Sequence, residues 1–365
     1  MTTDTARHAA ATTAPDTTPD TGPDTGPDTR IEPLETHAEW RASDIADRSR
    51  WTYRLTDTDL AELEAALAHA AAQHADVLDI TREDFPLPTL GAKLRRFEDE
   101  LIDGRGFQLI SGLPVERYGD ADACAMYWGI GMHLGRPWPQ NKHGHLLGDV
   151  TDHGRTYGDP TARGNELGPV AMPYHSDGSD LVGLMCLRKA ISGGLSTVAN
   201  AVAAHNEIVR TRPDLAAVLY QPQIYDLRGE EQPGHPPTYE VPVFTRHGDR
   251  LFVRYIRPYI ESARRHPGVP PITAAEREAF DLLDRLCRNP DFNVYMDLQP
   301  GDMQFINNYH VLHARTAFED HPDPKHKRFL KRLWLETRKL TDRPHKFQLA
   351  GSVKAWWARN RTKAS

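Results

Sequence analysis

Two periods organise the apolar residues of this chain. From residue 56 to residue 133 they recur every three or four positions. Leu60, Leu63 and Leu67 share one helix face behind the capping signal Thr56-Asp57-Thr58-Asp59. Leu90, Leu94, Phe97 and Leu101 share a second face, which stops at Gly104, and a third helix is predicted over 121–133, ending at Gly135. Between them GFQLI (106–110) reads as a strand, closed by the turn Gly112-Leu113-Pro114.

Farther on, the runs are shorter and strand-like. LVGLMCL (181–187) is predicted to be a buried strand, and the turn Ser192-Gly193-Gly194 leads to another over 196–200. Helix is predicted over 203–220, restarted at Pro213, and again over 273–287, where Phe280, Leu283 and Leu286 form the buried face. Residues 241–244 and 250–255 pair as a hairpin around His247-Gly248-Asp249. Strands resume over 292–298, 303–306 and 329–337. Clusters of strands with helical insertions, in place of regular strand-helix alternation, argue against a doubly wound sheet. The fold predicted is mainly β with helices inserted (α+β): a double-stranded β-helix, or jelly roll, flanked by helices.

The pattern also sets boundaries. Residues 1 to about 30 are mostly Thr, Pro, Asp, Ala and Gly, with a TGPD repeat phased on Asp20, Asp24 and Asp28, and the tail is bounded at 1–35. Such a stretch cannot bury a core and reads as a disordered acidic tail. One domain is expected over 36–350, followed by a tail over 351–365. Residues 135–172 break into Gly, His, Asp, Asn and Pro. A loop that long inside a compact domain is functional or disordered, and its place before the motif below makes it a candidate lid over an active site.

Charge and cysteine content narrow the function classes. Forty-four basic against 51 acidic residues give a formal charge of -7, which argues against a nucleic-acid partner. No apolar run is long enough to span a bilayer, and no signal-peptide pattern opens the chain. Cys124, Cys186 and Cys287 are scattered and odd in number, which suits a reducing compartment and offers no zinc cluster. A cytoplasmic protein acting on a small molecule, open to homo-oligomer formation, is the expectation.

The candidate chemistry lies in Pro173-Tyr174-His175-Ser176-Asp177. On extended backbone, residues two apart point the same way, so His175 and Asp177 present an imidazole and a carboxylate together. His-x-Asp occurs four times, but context removes His74-Asp76 (a helix end), His247-Asp249 (a hairpin turn) and His321-Asp323 (a Pro-rich loop). Downstream, the turn Pro300-Gly301-Asp302 launches a strand that delivers His310 and His313 into apolar surroundings, and the residues alone do not choose between them. Two histidines and one carboxylate with open positions are the ligand set of non-haem Fe(II) oxygenases. Fifteen residues past His313 comes Arg328, then Arg332, on a strand ending in Leu333-Trp334-Leu335. Arginines at the edge of a core need an anion, and a dicarboxylate supplies one through charge-assisted hydrogen bonds.

In this order the motifs resemble those of the Fe(II)/2-oxoglutarate oxygenases of the taurine dioxygenase and clavaminate synthase-like group, over about residues 80–340. CLRKAISGG and QPGDMQFINNYHVLHARTAFED are similar to the family along their length. The resemblance implies that His175, Asp177 and His313 hold the iron and that His310 does not. It gives Arg328 to the distal carboxylate of 2-oxoglutarate, aided by Ser196 or Thr197, and Arg332 to an acidic group of the substrate. With Asp177 in place, it implies hydroxylation or a related C–H oxidation rather than halogenation. The implied reaction consumes O2 and converts 2-oxoglutarate to succinate and CO2. Gln140 and Asn141, in the candidate lid, are expected to line the substrate pocket. The competing reading is a non-catalytic jelly-roll protein with a structural or zinc site; the paired arginines count against it, since such a site needs no anion clamp.

Overall fold

The structure, a computed structural model, describes residues 30–156, 158–348 and 352–359. Residues 1–29 of the expected acidic tail lie outside them. Of the remainder, Leu34 is already buried, and its N–H donates to Asn206 Oδ1 at 2.8 Å.

Strands β1 (Thr52–Arg54), β2 (Phe107–Ser111), β3 (Arg136–Pro137) and β4 (Leu147–Val150) come first. Next are β5 (Met172–His175), β6 (Leu181–Arg188), β7 (Ser192–Gly193) and β8 (Ser196–Asn200). Two separate ladders pair β9 (Pro222–Asp226) with β10 (Thr238–Pro242) and β11 (Phe244–His247) with β12 (Arg250–Val253). The last are β13 (Asn293–Met296), β14 (Met303–Asn307), β15 (Val311–Arg315), β16 (Phe318–Glu319) and β17 (Phe329–Glu336). A large sheet runs β1-β2-β14-β6-β17-β3, with β4 also on β17, and a smaller one runs β13-β8-β15-β5. Only the β1–β2 pair is parallel among these ladders.

The period of two along each strand decides what faces what. On β6 and β17, Val182, Cys186, Leu330 and Trp334 share an interior cluster with Val198 of β8, Met296 of β13 and Val311 of β15. That cluster fills the space between the sheets. The alternate residues, Leu181, Met185, Leu333 and Leu335, join the helices on the outer face. Those helices are α1 (Asp57–Ala71), α2 (Leu90–Ile102) and α3 (Val115–Leu134). Behind the small sheet lie α4 (Ala201–Thr211) and α5 (Pro213–Leu219), with α6 (Arg257–Ser262) and α7 (Ala274–Arg288) following in the chain. The result is an open jelly-roll sandwich flanked by helices, without barrel closure.

Several local expectations shift. The third helix begins at Val115, six residues early, because a first turn precedes a break at Gly119 (φ 75°). The hairpin turns at His247-Gly248-Asp249, but Val241 belongs to β10, across the gap at Val243. Pro300-Gly301-Asp302 does launch β14; Gly301 is required there, since its φ is 85° and a Cβ would sit 1.8 Å from the Leu113 carbonyl oxygen. The launched strand ends at Asn307, and a tight turn separates it from β15, which carries His313. The segment 135–172 is divided: β3 and β4 are sheet strands on β17, while residues 162–165 and Leu167 border a cavity. At the other end, residues 353–359 form a helix, α8 (Val353–Arg359), because Trp357 finds a buried seat in the interior cluster and its indole N–H reaches the Glu230 carbonyl at 3.0 Å.

Candidate metal centre and active site

Pairing register assembles the first part of the site. β5 and β15 are antiparallel neighbours, and His175 lies directly opposite His313, with ring centroids 4.1 Å apart. On β15 the inward parity belongs to Val311 and His313, while Leu312 and Ala314 pack outward on the helices. Asp177 lies just past the end of β5. Its N–H is fixed by Asn308 Oδ1 at 2.8 Å, and Asn308 Nδ2 donates in turn to the Ser179 carbonyl at 2.9 Å. The turn between β14 and β15 thereby positions the carboxylate of one motif against the histidine of the other. One nitrogen or oxygen from each of His175, Asp177 and His313 lies within 4.8 Å of the others, the only such group of metal-binding side chains among the described residues.

The donor set fits a divalent cation. His175 Nδ1 is 2.9 Å from the Pro173 carbonyl, which makes Nδ1 the protonated nitrogen and leaves the Nε2 lone pair for a metal. Burial lowers the pKa of His175 and pushes His313 down to about 3, so both rings are neutral near pH 7. Burial alone would raise the Asp177 carboxyl. Arg332 chiefly, then the two histidines and the Trp334 N–H, outweigh it and hold the carboxyl well below its usual range. Asp177 Oδ2 accepts from Arg332 Nη1 at 3.1 Å and Trp334 Nε1 at 3.0 Å. Neutral imidazoles and an ionised, oriented carboxylate are what such a centre needs. His310 stands apart, buried near Gly106.

Strand parity also sorts the anion-binding candidates. Arg328 precedes β17 with the same parity as Leu330, Arg332 and Trp334, and points into the sandwich. A small cavity of about 50 Å³ brings His175, His313, Ser196, Arg328 and Arg332 onto one wall. Arg328 is buried, its Nη1 has no hydrogen-bond partner, and its Nη2 reaches only the Gly194 carbonyl at 3.5 Å. Burial lowers its pKa, a mark of a desolvated cation lacking an anion. On β8, Ser196 has the inward parity, and Thr197 faces the other way, bonded to the Tyr174 hydroxyl at 2.7 Å. Of the two hydroxyls, Ser196 is the one brought to the cavity.

Gln140 and Asn141 do not line either cavity. Gln140 is buried behind Arg332: its Oε1 accepts from Arg332 Nε at 2.8 Å, and its Nε2 donates to the Arg332 and Leu146 carbonyls. Asn141 Oδ1 instead caps the N–H groups of His143 and His145. A polar loop residue bonds the nearest backbone unless a pocket competes for it. Trp334, Asn308 and Arg254, to which the sequence assigns no role at the site, all hold the loop at residues 176–179. Trp334 was within reach, since it lies two positions after Arg332 on one strand face. Beside the centre opens a larger cavity of about 490 Å³, bordered by His175, Asp177, Arg332 and Trp334, by residues 162–165 with Leu167, and by α8.

A profile of the taurine catabolism dioxygenase TauD/TfdA family matches residues 63–334. The chain belongs to this family. It is therefore a non-haem iron, 2-oxoglutarate-dependent dioxygenase, and the reading as a non-catalytic jelly roll is set aside. FR-33289 synthase of Streptomyces rubellomurinus is 31% identical over 308 residues, covering 83% of this chain and 90% of the relative. A uridine-5'-phosphate dioxygenase of an Amycolatopsis species is 27% identical over 238 residues, 61% of this chain and 83% of that one. Among solved structures, asparagine oxygenase in complex with Fe(II), 2S,3S-3-hydroxyasparagine and succinate superposes with a TM-score of 0.61 at 20% identity, over 78% of this chain and 94% of that one. At that identity the likeness supports the fold. No helix among the described residues is long and apolar enough to cross a membrane.

Proposed function

We propose that this oxygenase couples the oxidative decarboxylation of 2-oxoglutarate to hydroxylation, or a related C–H oxidation, of a small anionic substrate. The observation that supports it most strongly is the meeting, on one small cavity, of two neutral histidines and a buried arginine lacking an anion. In this reading His175, Asp177 and His313 hold Fe(II). Arg328, with the Ser196 hydroxyl, takes the distal carboxylate of 2-oxoglutarate. Iron with 2-oxoglutarate and O2 supplies the oxidising power, releasing succinate and CO2 and delivering oxygen to the substrate.

The protein's own contribution is placement. Asn308 fixes the Asp177 backbone N–H, Trp334 fixes its carboxylate, and the Pro173 carbonyl fixes the tautomer of His175. Arg332 is held from behind by Gln140, so its guanidinium presents one edge to Asp177 and borders both cavities. The large cavity receives the substrate, whose reacting carbon must lie beside the metal ligands and away from bulk water. A relative that acts on uridine-5'-phosphate supports an anionic substrate here.

The test is succinate release from Fe(II)-loaded protein in air, across panels of amino acids, carboxylates and phosphate monoesters, with product mass read alongside. A compound that raises succinate formation and gains one oxygen atom is the expected result. Succinate formed at the same rate by His313→Ala would remove the assignment of the triad.

A further inference from the structure

Two cations on the wall of the large cavity have no acid to answer them. Arg254 donates through Nη1 to the Ser176 carbonyl at 3.3 Å and to the Asp177 carbonyl, and through Nε and Nη2 to the Tyr239 hydroxyl at 3.1 and 2.7 Å. Lys354, delivered by α8, donates from Nζ to the Gly178 carbonyl. The carbonyls of three consecutive residues around the metal-ligand turn thus receive two positive side chains. Neither cation has a carboxylate within 4.0 Å among the described residues. Burial pushes the Lys354 ammonium down to about 7, and Arg254 adds to that shift.

The seat of Lys354 is built into the backbone. Gly178 has no side chain, and a Cβ there would lie 2.5 Å from Lys354 Nζ, 2.7 Å from its Cε and 3.2 Å from the Trp334 ring. The Trp334 indole lies between two cations, with Arg332 5.1 Å and Lys354 5.8 Å from the ring centroid. Other acids of this cavity wall are engaged. Asp226 pairs with Arg265 and His266, and Glu230 accepts the Lys142 N–H and faces Arg163 at 3.9 Å; Glu240 is exposed. Asp180, behind the turn, is paired with Arg343. Given the reading above, Asp177 is committed to the metal and Arg328 to 2-oxoglutarate. Arg254 and Lys354 then remain without a counter-charge in a poorly solvated pocket, and a dianion bound there would balance both.

We propose that Lys354 and Arg254 form the receptor for a phosphate-type dianion on the substrate, with the C-terminal helix carrying Lys354 as its specificity-determining element. α8 lies beyond the segment matched by the family profile, so this cation is supplied by a part of the chain outside the family core. A phosphate monoester and a phosphonate present the same doubly charged oxyanion and are equivalent to this receptor. The proposal rests on the oxygenase reading, because it assumes Asp177 and Arg328 are already occupied.

The experiment uses the full chain as its anaerobic complex with Fe(II) and 2-oxoglutarate, whose visible charge-transfer band reports the assembled centre. Inorganic phosphate is titrated into it by calorimetry at fixed ionic strength, with chloride as the control anion. The wild-type complex is expected to bind phosphate, and Lys354→Gln to weaken that binding at least tenfold while the band is kept. Gly178→Ala, which retains the charge but fills the seat, is expected to weaken binding in the same direction. Equal phosphate affinity in wild type and Lys354→Gln, or no phosphate binding by a wild-type complex that shows the band, would overturn the proposal. Absence of the band in wild type would instead overturn the oxygenase reading beneath it.

Discussion

Replacing Arg328 by methionine should separate a ligand-binding arginine from a structural one. In the structure its guanidinium has one nitrogen without a partner and no carboxylate within ion-pair distance among the described residues; Asp320 takes its backbone N–H at 2.7 Å instead. Methionine fills a similar volume and removes a desolvated charge, so the apo-protein should be as stable as wild type or slightly more so. With 2-oxoglutarate bound, the same change strands a buried carboxylate. Breaking a buried ion pair costs about 3–5 kcal/mol. At about 1.4 kcal/mol per decade that is a loss of between two and four orders of magnitude in 2-oxoglutarate affinity. The assay is a calorimetric titration of 2-oxoglutarate into anaerobic Fe(II)-loaded protein, alongside urea unfolding of the apo form. Affinity within threefold of wild type, or an apo-protein destabilised by more than about 2 kcal/mol, would refute the reasoning.

Further predictions follow from the same contacts. Trp334→Phe keeps an aromatic ring but loses the N–H to Asp177 Oδ2; Fe(II) affinity should fall about 10- to 100-fold, and an unchanged titration would contradict the positioning role. Gln140→Leu leaves the Arg332 Nε and the Leu146 and Arg332 carbonyls without their partner, so unfolding stability should drop by about 1–3 kcal/mol per stranded group; no loss of urea midpoint would count against it. Burial holds His205 and His310 down at about 4 against an ordinary value near 6.5. The unfolded chain then binds more protons below pH 6.5, so their stabilising contribution is present above that pH and is lost as pH falls toward 4. Each contributes about 2 kcal/mol of the loss between pH 7 and pH 5. His310→Leu should shrink the drop in urea midpoint over that interval, and an unchanged drop would rule the contribution out.

Much of the site was legible because strand parity carries it. LVGLMCL announced β6, and the four-residue step from Arg328 to Arg332 put both arginines on one side; both border the small cavity, Arg328 from just ahead of β17 and Arg332 from within it. The choice between Ser196 and Thr197 needed the inward face of β8, which STVAN does not reveal, since all five of its residues are buried. β5 was invisible as Met-Pro-Tyr-His, four residues interrupted by proline, although its pairing is what sets His175 opposite His313. β4 was hidden in a glycine- and aspartate-bearing stretch whose strand state comes from pairing with β17 rather than from propensity. Gln140 looked like a pocket residue because its partner, Arg332, lies 192 positions away. The helix at 353–359 is seven residues long, too short for periodicity to declare, and it forms because Trp357 is buried.

The most direct measurement is an anaerobic titration of the apo-protein with Fe(II) and then 2-oxoglutarate, followed in the visible range. The account predicts a charge-transfer band that saturates at one iron and one 2-oxoglutarate per chain and is abolished in His313→Ala. Well-folded, fully iron-loaded wild-type protein that shows no band, or a His313→Ala variant that shows it undiminished, would contradict the assignment of His175, Asp177 and His313 as the catalytic metal centre.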